Sequence, residues 1–145
     1  MRYFGIPLCM VVALAAACGG DSGTGPAGGG GGGVAGSYGL VGANDEAVPA
    51  VVLSNVCPPV QITNGTLQLN GGGQFQLRFD YRDENGEADW TGDHGTFTIA
   101  GEDLFFESEA WGDSFEGEFD DGAVYLWYDF CADGQAGDLE LAFSR

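Results

Sequence analysis

The side chains that could do chemistry in this 145-residue chain are above all carboxylates, with 22 Asp and Glu against 4 Lys and Arg and a single histidine, His94. Paired carboxylates can divide general acid and base work between them. Glu107 with Glu109, and Glu116 with Glu118, stand two residues apart. In a strand that spacing places both on one face, about 7 Å apart. The same spacing arises on any solvated strand face of an acidic chain, and no cleft-forming motif accompanies either pair. The run Asp83-Glu84-Asn85-Gly86-Glu87-Ala88-Asp89 offers oxygens at Asp83, Asn85, Glu87 and Asp89, and calcium takes about six to eight hard oxygens. Glycine stands at its fourth place and a distal glutamate is missing, so the run departs from an EF-hand loop, and as a hairpin tip it needs no metal. Asp129 with Asp133 and Asp138 form a second acidic turn that offers fewer ligands.

His94 lies in Gly92-Asp93-His94-Gly95, which reads as a turn without a ligand set. None of Ser37, Ser54, Ser108, Ser114 and Ser144 has the glycine pattern of a nucleophile elbow. No catalytic residue, metal or cofactor is therefore assigned, and a binding or structural protein is expected rather than an enzyme. The aromatics offer more. Trp90, Trp111, Tyr125 and Trp127, with Phe105, can stack on sugars or hold an apolar small molecule, or else fill a core.

The elements that must position these residues read as strands. Gln74-Phe75-Gln76-Leu77-Arg78-Phe79-Asp80-Tyr81-Arg82 alternates without a break. Shorter alternations occur at 66–70, 96–99, 114–120 and 139–143, and 124–130 is apolar on both faces. A period of two means a half-buried strand. Turn signals separate the runs at Asn64-Gly65, Asn70-Gly71-Gly72-Gly73, Asn85-Gly86, Gly101-Glu102, Asp121-Gly122 and Asp133-Gly134; Asn-Gly and Asp-Gly suit the positive φ of tight hairpin turns. After residue 34 no 3.6-residue apolar stripe appears. The reading is all-β: a small antiparallel up-and-down barrel of about eight or nine strands over 35–145, with a two-layer sandwich as the competing arrangement.

The N-terminus reads as an address. Arg2 precedes an uncharged stretch from Tyr3 to Ala17, shorter than the ~20 residues a membrane span needs and of signal-core length. Ala15-Ala16-Ala17 then leads into Cys18. This end resembles the bacterial lipoprotein signal, although Leu14 sits one place further from the cysteine than the usual pattern. The resemblance implies cleavage after residue 17, a diacylglycerol thioether on Cys18 and a lipid-held protein of the bacterial cell envelope; two or more acyl chains anchor stably. Gly19 rather than Asp follows, which leans toward the outer membrane. Residues 18–34, with an unbroken run from Gly28 to Gly33, form a disordered Gly-rich linker spanning roughly 20–25 Å. No Lys-Ser/Thr follows the run, so it is not a phosphate loop.

Val34-Ala35-Gly36-Ser37-Tyr38-Gly39-Leu40-Val41 and Ala47-Val48-Pro49-Ala50 resemble the opening of small bacterial lipocalin-like lipoprotein domains. The run Ile62 to Phe75 fits the same pattern as a strand, a tight turn and the next strand. That resemblance implies an up-and-down barrel with a small apolar cavity and carries no particular ligand.

With Cys9 in the signal and Cys18 lipidated, Cys57 and Cys131 remain, an even pair in an oxidising compartment. A disulfide is expected between the end of one strand at Cys57-Pro58-Pro59 and the end of another at Phe130-Cys131. A metal or redox role lacks the CxxC or histidine cluster it would need. After signal removal 3 arginines face 22 acidic residues, a formal charge of −19. That excludes nucleic acid and opposes contact with anionic headgroups. The expectation is a monomeric, non-enzymatic lipoprotein binding a small apolar or sugar ligand. The competing reading is a calcium-stabilised structural or adhesion module.

Overall fold

The computed structural model describes residues 33–53, 57–131 and 138–145. The expected signal segment 1–17, Cys18, the linker up to residue 32 and the Asp133-Gly134 turn lie outside the described residues. Ten strands follow in order: β1 Gly36–Ala43, β2 Glu46–Ala47, β3 Ala50–Val52, β4 Val60–Leu69, β5 Gln74–Arg82, β6 Ala88–Ala100, β7 Asp103–Ser108, β8 Ser114–Asp120, β9 Ala123–Asp129 and β10 Asp138–Ser144.

Alternation along the chain becomes alternation across a wall. In β5, Phe75, Leu77, Phe79 and Tyr81 are buried while Gln74, Gln76 and Arg78 face out. In β4, Leu67 and Leu69 point inward; in β7, Leu104 and Phe106; in β9, Val124, Leu126 and Tyr128. Each strand from β4 to β10 pairs antiparallel with the next, and β10 pairs with β1. The pairing of β1 with β4, Ser37 opposite Gln68 and Tyr38 opposite Leu67, closes the ring. The result is an all-β, antiparallel, eight-stranded closed barrel, with β2 and β3 as short additions on β1 and β4. Closure leaves the eight main strands without a long open edge, the usual liability of a sheet.

A connected run of rings threads the otherwise mainly aliphatic interior. Phe97, Phe106 and Phe115 stack in series, with centroids 5.9 and 4.7 Å apart. Tyr128 meets Phe115 edge-on at 5.0 Å, and Phe79, Phe130 and Tyr81 continue the contact. Edge-to-face rings add about 1 kcal/mol each beyond the area they bury.

The turns sort into two ends. At one lie 70–73, 101–102 and 121–122, with the start of β1 and the end of β10. Here Tyr38 donates to the Val34 carbonyl, and Arg145 stacks over the Tyr38 ring and donates to its hydroxyl. At the other end lie 83–87, 109–113 and the excursion carrying β2 and β3. Cys57 and Cys131 form a disulfide at this second end, with Cα atoms 5.4 Å apart, an ordinary span for such a bridge.

Three local expectations are corrected. Asn64-Gly65 is no turn: β4 runs straight through it, with an irregularity in the ladder between Ile62 and Asn64. Gly65 is there for space, since a Cβ would come within 3.1 Å of Leu40 and 3.0 Å of the Arg78 carbonyl. Gly92-Asp93-His94-Gly95 is also strand, the middle of the 13-residue β6. Cys57 does not end a strand but precedes β4. A tight turn without a glycine signal, Asn44-Asp45, joins β1 to β2, both residues taking positive φ (47° and 65°); Asn and Asp tolerate that region better than other non-glycine residues.

Candidate functional site

The strand that was read as a turn builds the site. β6 pairs with β5 over Ala88–Thr96 and with β7 only from Gly95 to Ala100, so its first half has one neighbour in these ladders. Beside the unmatched half, at the disulfide end, the wall opens into a cavity of about 380 Å³ lined by Thr91, Asp93, Ser108, Trp111, Asp113, Ser114, Phe115, Tyr128, Asp129, Phe130 and Cys131. The period of two in β6 turns Asp93 inward with Phe97, and Asp93 is only 4% exposed. An ionised group in such a place must be hydrogen-bonded. Ser108 donates its hydroxyl to Asp93 Oδ1 at 2.7 Å, the His94 amide donates to the same oxygen at 2.7 Å, and Tyr128 donates its hydroxyl to Oδ2 at 3.2 Å. Ser108 Oγ in turn accepts the Trp111 amide at 2.9 Å, which fixes the β7–β8 turn over the opening.

Burial pushes the Tyr128 hydroxyl above its usual range, and the neighbouring Asp93 charge adds to the shift. Tyr128 is thus a neutral hydrogen-bond donor at ordinary pH. The cavity lining thus combines a buried carboxylate whose oxygens are engaged with the rings of Phe115, Tyr128 and Phe130.

The histidine, serine and aspartate of a hydrolase are close in sequence and split by the pleat. Asp93 and Ser108 face the interior while His94 is exposed on the outer wall. Ser108 meets an acid and no base. A groove of about 430 Å³ does border His94, with Ser37, Gln68, Gln76 and Glu109, but it has no buried carboxylate in it.

The four aromatic candidates do not converge. Trp111, 63% exposed, stands at the cavity rim. Trp90, 57% exposed, lies on the outer face of β6 beneath the Arg78 guanidinium, 4.7 Å from its ring centre. Tyr125 and Trp127 lie on the outer wall of β9. The pair Glu116 and Glu118 shares the outer face of β8, whereas Glu109 has left β7 for the turn. At the calcium candidate, Asp83 works as a turn cap: its carboxylate accepts the amides of Glu87 at 2.8 Å and Asn85 at 2.9 Å. These bonds, the Glu87 amide foremost, hold it below the usual carboxylate range. Asn85 donates to Asp83, and Asp89 caps the Trp90 amide and receives the Tyr81 hydroxyl. Among the described residues no group of three His, Cys, Asp or Glu is placed to hold a metal.

Asp93, Ser108 and Tyr128 were not among the sequence candidates. A signal existed: counting back in twos from Phe97 lands on Gly95 and Asp93, an acid on an inward face.

No family model matches this chain, and no curated protein matches it. Among solved structures it is similar to the Cpx pathway activator NlpE from Escherichia coli, at 15% identity and a TM-score of 0.40, over 61% of this chain and 43% of that one. The chain therefore spans less than half of NlpE, and the barrel assignment stands on the strand pairing described above.

Proposed function

We propose that this is a lipid-anchored, non-enzymatic protein of the bacterial cell envelope that holds a small molecule in the mouth of its barrel. The observation that carries this reading is the cavity of about 380 Å³ with an engaged buried carboxylate and aromatic sides. Such concave sites with a few convergent polar groups are where small ligands bind. Rings at Phe115, Phe130 and Trp111 suit the flat face of an apolar or sugar-like molecule. Two observations favour binding over catalysis in this reading: Asp93 has its oxygens engaged, and the histidine faces away.

The anchoring half of the proposal rests on Cys18 and its flanking residues, and the disulfide between Cys57 and Cys131 suits an oxidising compartment. The geometry is consistent with a tether. β1 starts at the barrel end opposite the cavity, so a linker from Cys18 would attach at the end away from the mouth. With Gly19 after Cys18, the outer membrane is the proposed destination, and a monomer is the proposed working unit.

Native mass spectrometry of the protein recovered from its own host tests the ligand half. A retained small-molecule mass is expected, and it should disappear in Ser114→Trp, which fills the opening. Recovery of both proteins with no added mass would overturn it. For the anchor, Cys18→Ala should leave an unprocessed precursor lacking the acyl mass; full processing of that variant would refute lipidation at Cys18.

A further inference from the structure

Outside the mouth, one stretch of barrel wall carries aromatic rings where a soluble β-barrel would ordinarily carry polar groups. The ladders place Phe105 opposite Glu116, Glu116 opposite Trp127, and Trp127 opposite Glu140. All four belong to the outward-facing set of their strands; Phe105 is 42% and Trp127 48% exposed. One register step along, Glu118 faces Tyr125 on the same surface. Rings and carboxylates therefore alternate across four strands. Adjacent strands are about 4.8 Å apart, so Phe105 and Trp127 stand about 10 Å from each other with Glu116 between them. That is the width of a cation flanked on each side by a ring, with a carboxylate beneath it. Beyond Trp127 the wall dips into two grooves that share Glu140: one of about 390 Å³ beside Trp127, the other of about 300 Å³ beside Tyr125.

The chain does not satisfy this surface itself. Among the described residues the arginines are already engaged elsewhere. Arg78 pairs with Asp80 at 3.0 Å and covers Trp90; Arg82 donates to the Gly86 carbonyl; Arg145 holds the Tyr38 ring and hydroxyl. The chain contains no lysine.

We infer that this wall, Phe105–Glu116–Trp127–Glu140 with Tyr125 and Glu118, is a docking surface for a basic polypeptide segment whose Arg or Lys side chains seat over Glu116 and Glu140 against the rings. Guanidinium and ammonium groups bind aromatic faces through the ring quadrupole, and more strongly with a carboxylate nearby. A formal charge of −18 on the chain brings such a partner in and repels acidic ones. The two glutamates lie two strands apart, about 10 Å, which three residues of extended chain cover. The segment that fits thus carries basic residues three apart.

The test uses the mature lipidated protein in a neutral zwitterionic detergent and the peptide acetyl-Gly-Arg-Gly-Gly-Arg-Gly-amide, followed by calorimetric titration. One-to-one binding is expected. The double variant Phe105→Ser/Trp127→Ser leaves every charge in place and should weaken binding at least tenfold. Glu116→Gln/Glu140→Gln should do the same, whereas Trp90→Ser, an exposed ring on another wall, should leave it unchanged. All the altered side chains are at the surface, and circular dichroism checks that each variant folds. Equal binding by the ring-deficient variant would reduce the effect to general charge attraction and overturn the proposal. So would equal binding of the citrulline form of the peptide, or self-association of the protein through this wall in sedimentation.

Discussion

Asp93 shows how one residue can organise a cavity. Its carboxylate gathers the hydroxyls of Ser108 and Tyr128 and the amide of His94. Removing a shared acceptor leaves its donors with unmade bonds, and each such group costs about 1–3 kcal/mol when it stays away from water. Because the cavity admits some water, Asp93→Ala should destabilise the domain by about 3 kcal/mol in urea unfolding; a change below about 0.5 kcal/mol would show that the network is not structural. Tyr128 gives a pH signature. Its hydroxyl ionises near 10.0 in the unfolded chain and above that in the folded one, because burial and then Asp93 oppose the charge. The raised value means that its contribution is complete below about pH 10 and is lost as pH rises through the folded value. Tyr128→Phe should therefore flatten the fall of unfolding free energy above about pH 10, and an identical alkaline slope in the variant would contradict this linkage. Asp93 was legible only in principle. The alternation from Phe97 back to Asp93 is present, but glycines on both sides imitate a turn.

At the scale of elements, β6 decides the architecture of the mouth. It has 13 residues and its neighbour β7 has 6, so part of β6 runs past its partner and leaves the wall open there. Close approach of the backbones constrains the register at this point: a Cβ on Gly95 would run into the Glu107 carbonyl. That glycine marks tight packing and not a turn, which is why glycine-based punctuation misplaced a boundary here and at Gly65. The loop from Asp83 to Glu87 shows the opposite outcome. Its oxygens make it a minor calcium candidate beside the simpler hairpin tip, and the Asp83 carboxylate caps the amides of Asn85 and Glu87 in a turn where Gly86 takes φ 80°. On that geometry, millimolar calcium or a chelator should leave the melting temperature unchanged within about 1 °C, whereas an occupied site would raise it measurably. Differential scanning calorimetry decides.

For the molecule as a whole, the disulfide and the closing β1–β4 ladder join parts of the chain that are remote in sequence. The bridge spans 74 residues, and on the chain-entropy account a loop of that length contributes roughly 4 kcal/mol. Cys57→Ser/Cys131→Ser should lose about that much in denaturant unfolding without altering the far-ultraviolet spectrum of the folded state; a loss under about 1 kcal/mol would place the stability in the barrel alone. What the sequence by itself determined is what local pattern governs: strands from the period of two, the hairpins at Asn70-Gly71, Asn85-Gly86 and Asp121-Gly122, and the pairing of Cys57 with Cys131. The tertiary structure alone decided which faces meet. Whether an inward acid is satisfied depends on Ser108 and Tyr128, 15 and 35 residues away. Where a wall opens depends on the unequal lengths of neighbouring strands, and whether scattered rings form one surface depends on cross-strand register. Those are properties of paired strands, and a single stretch of sequence carries only one partner of each pair.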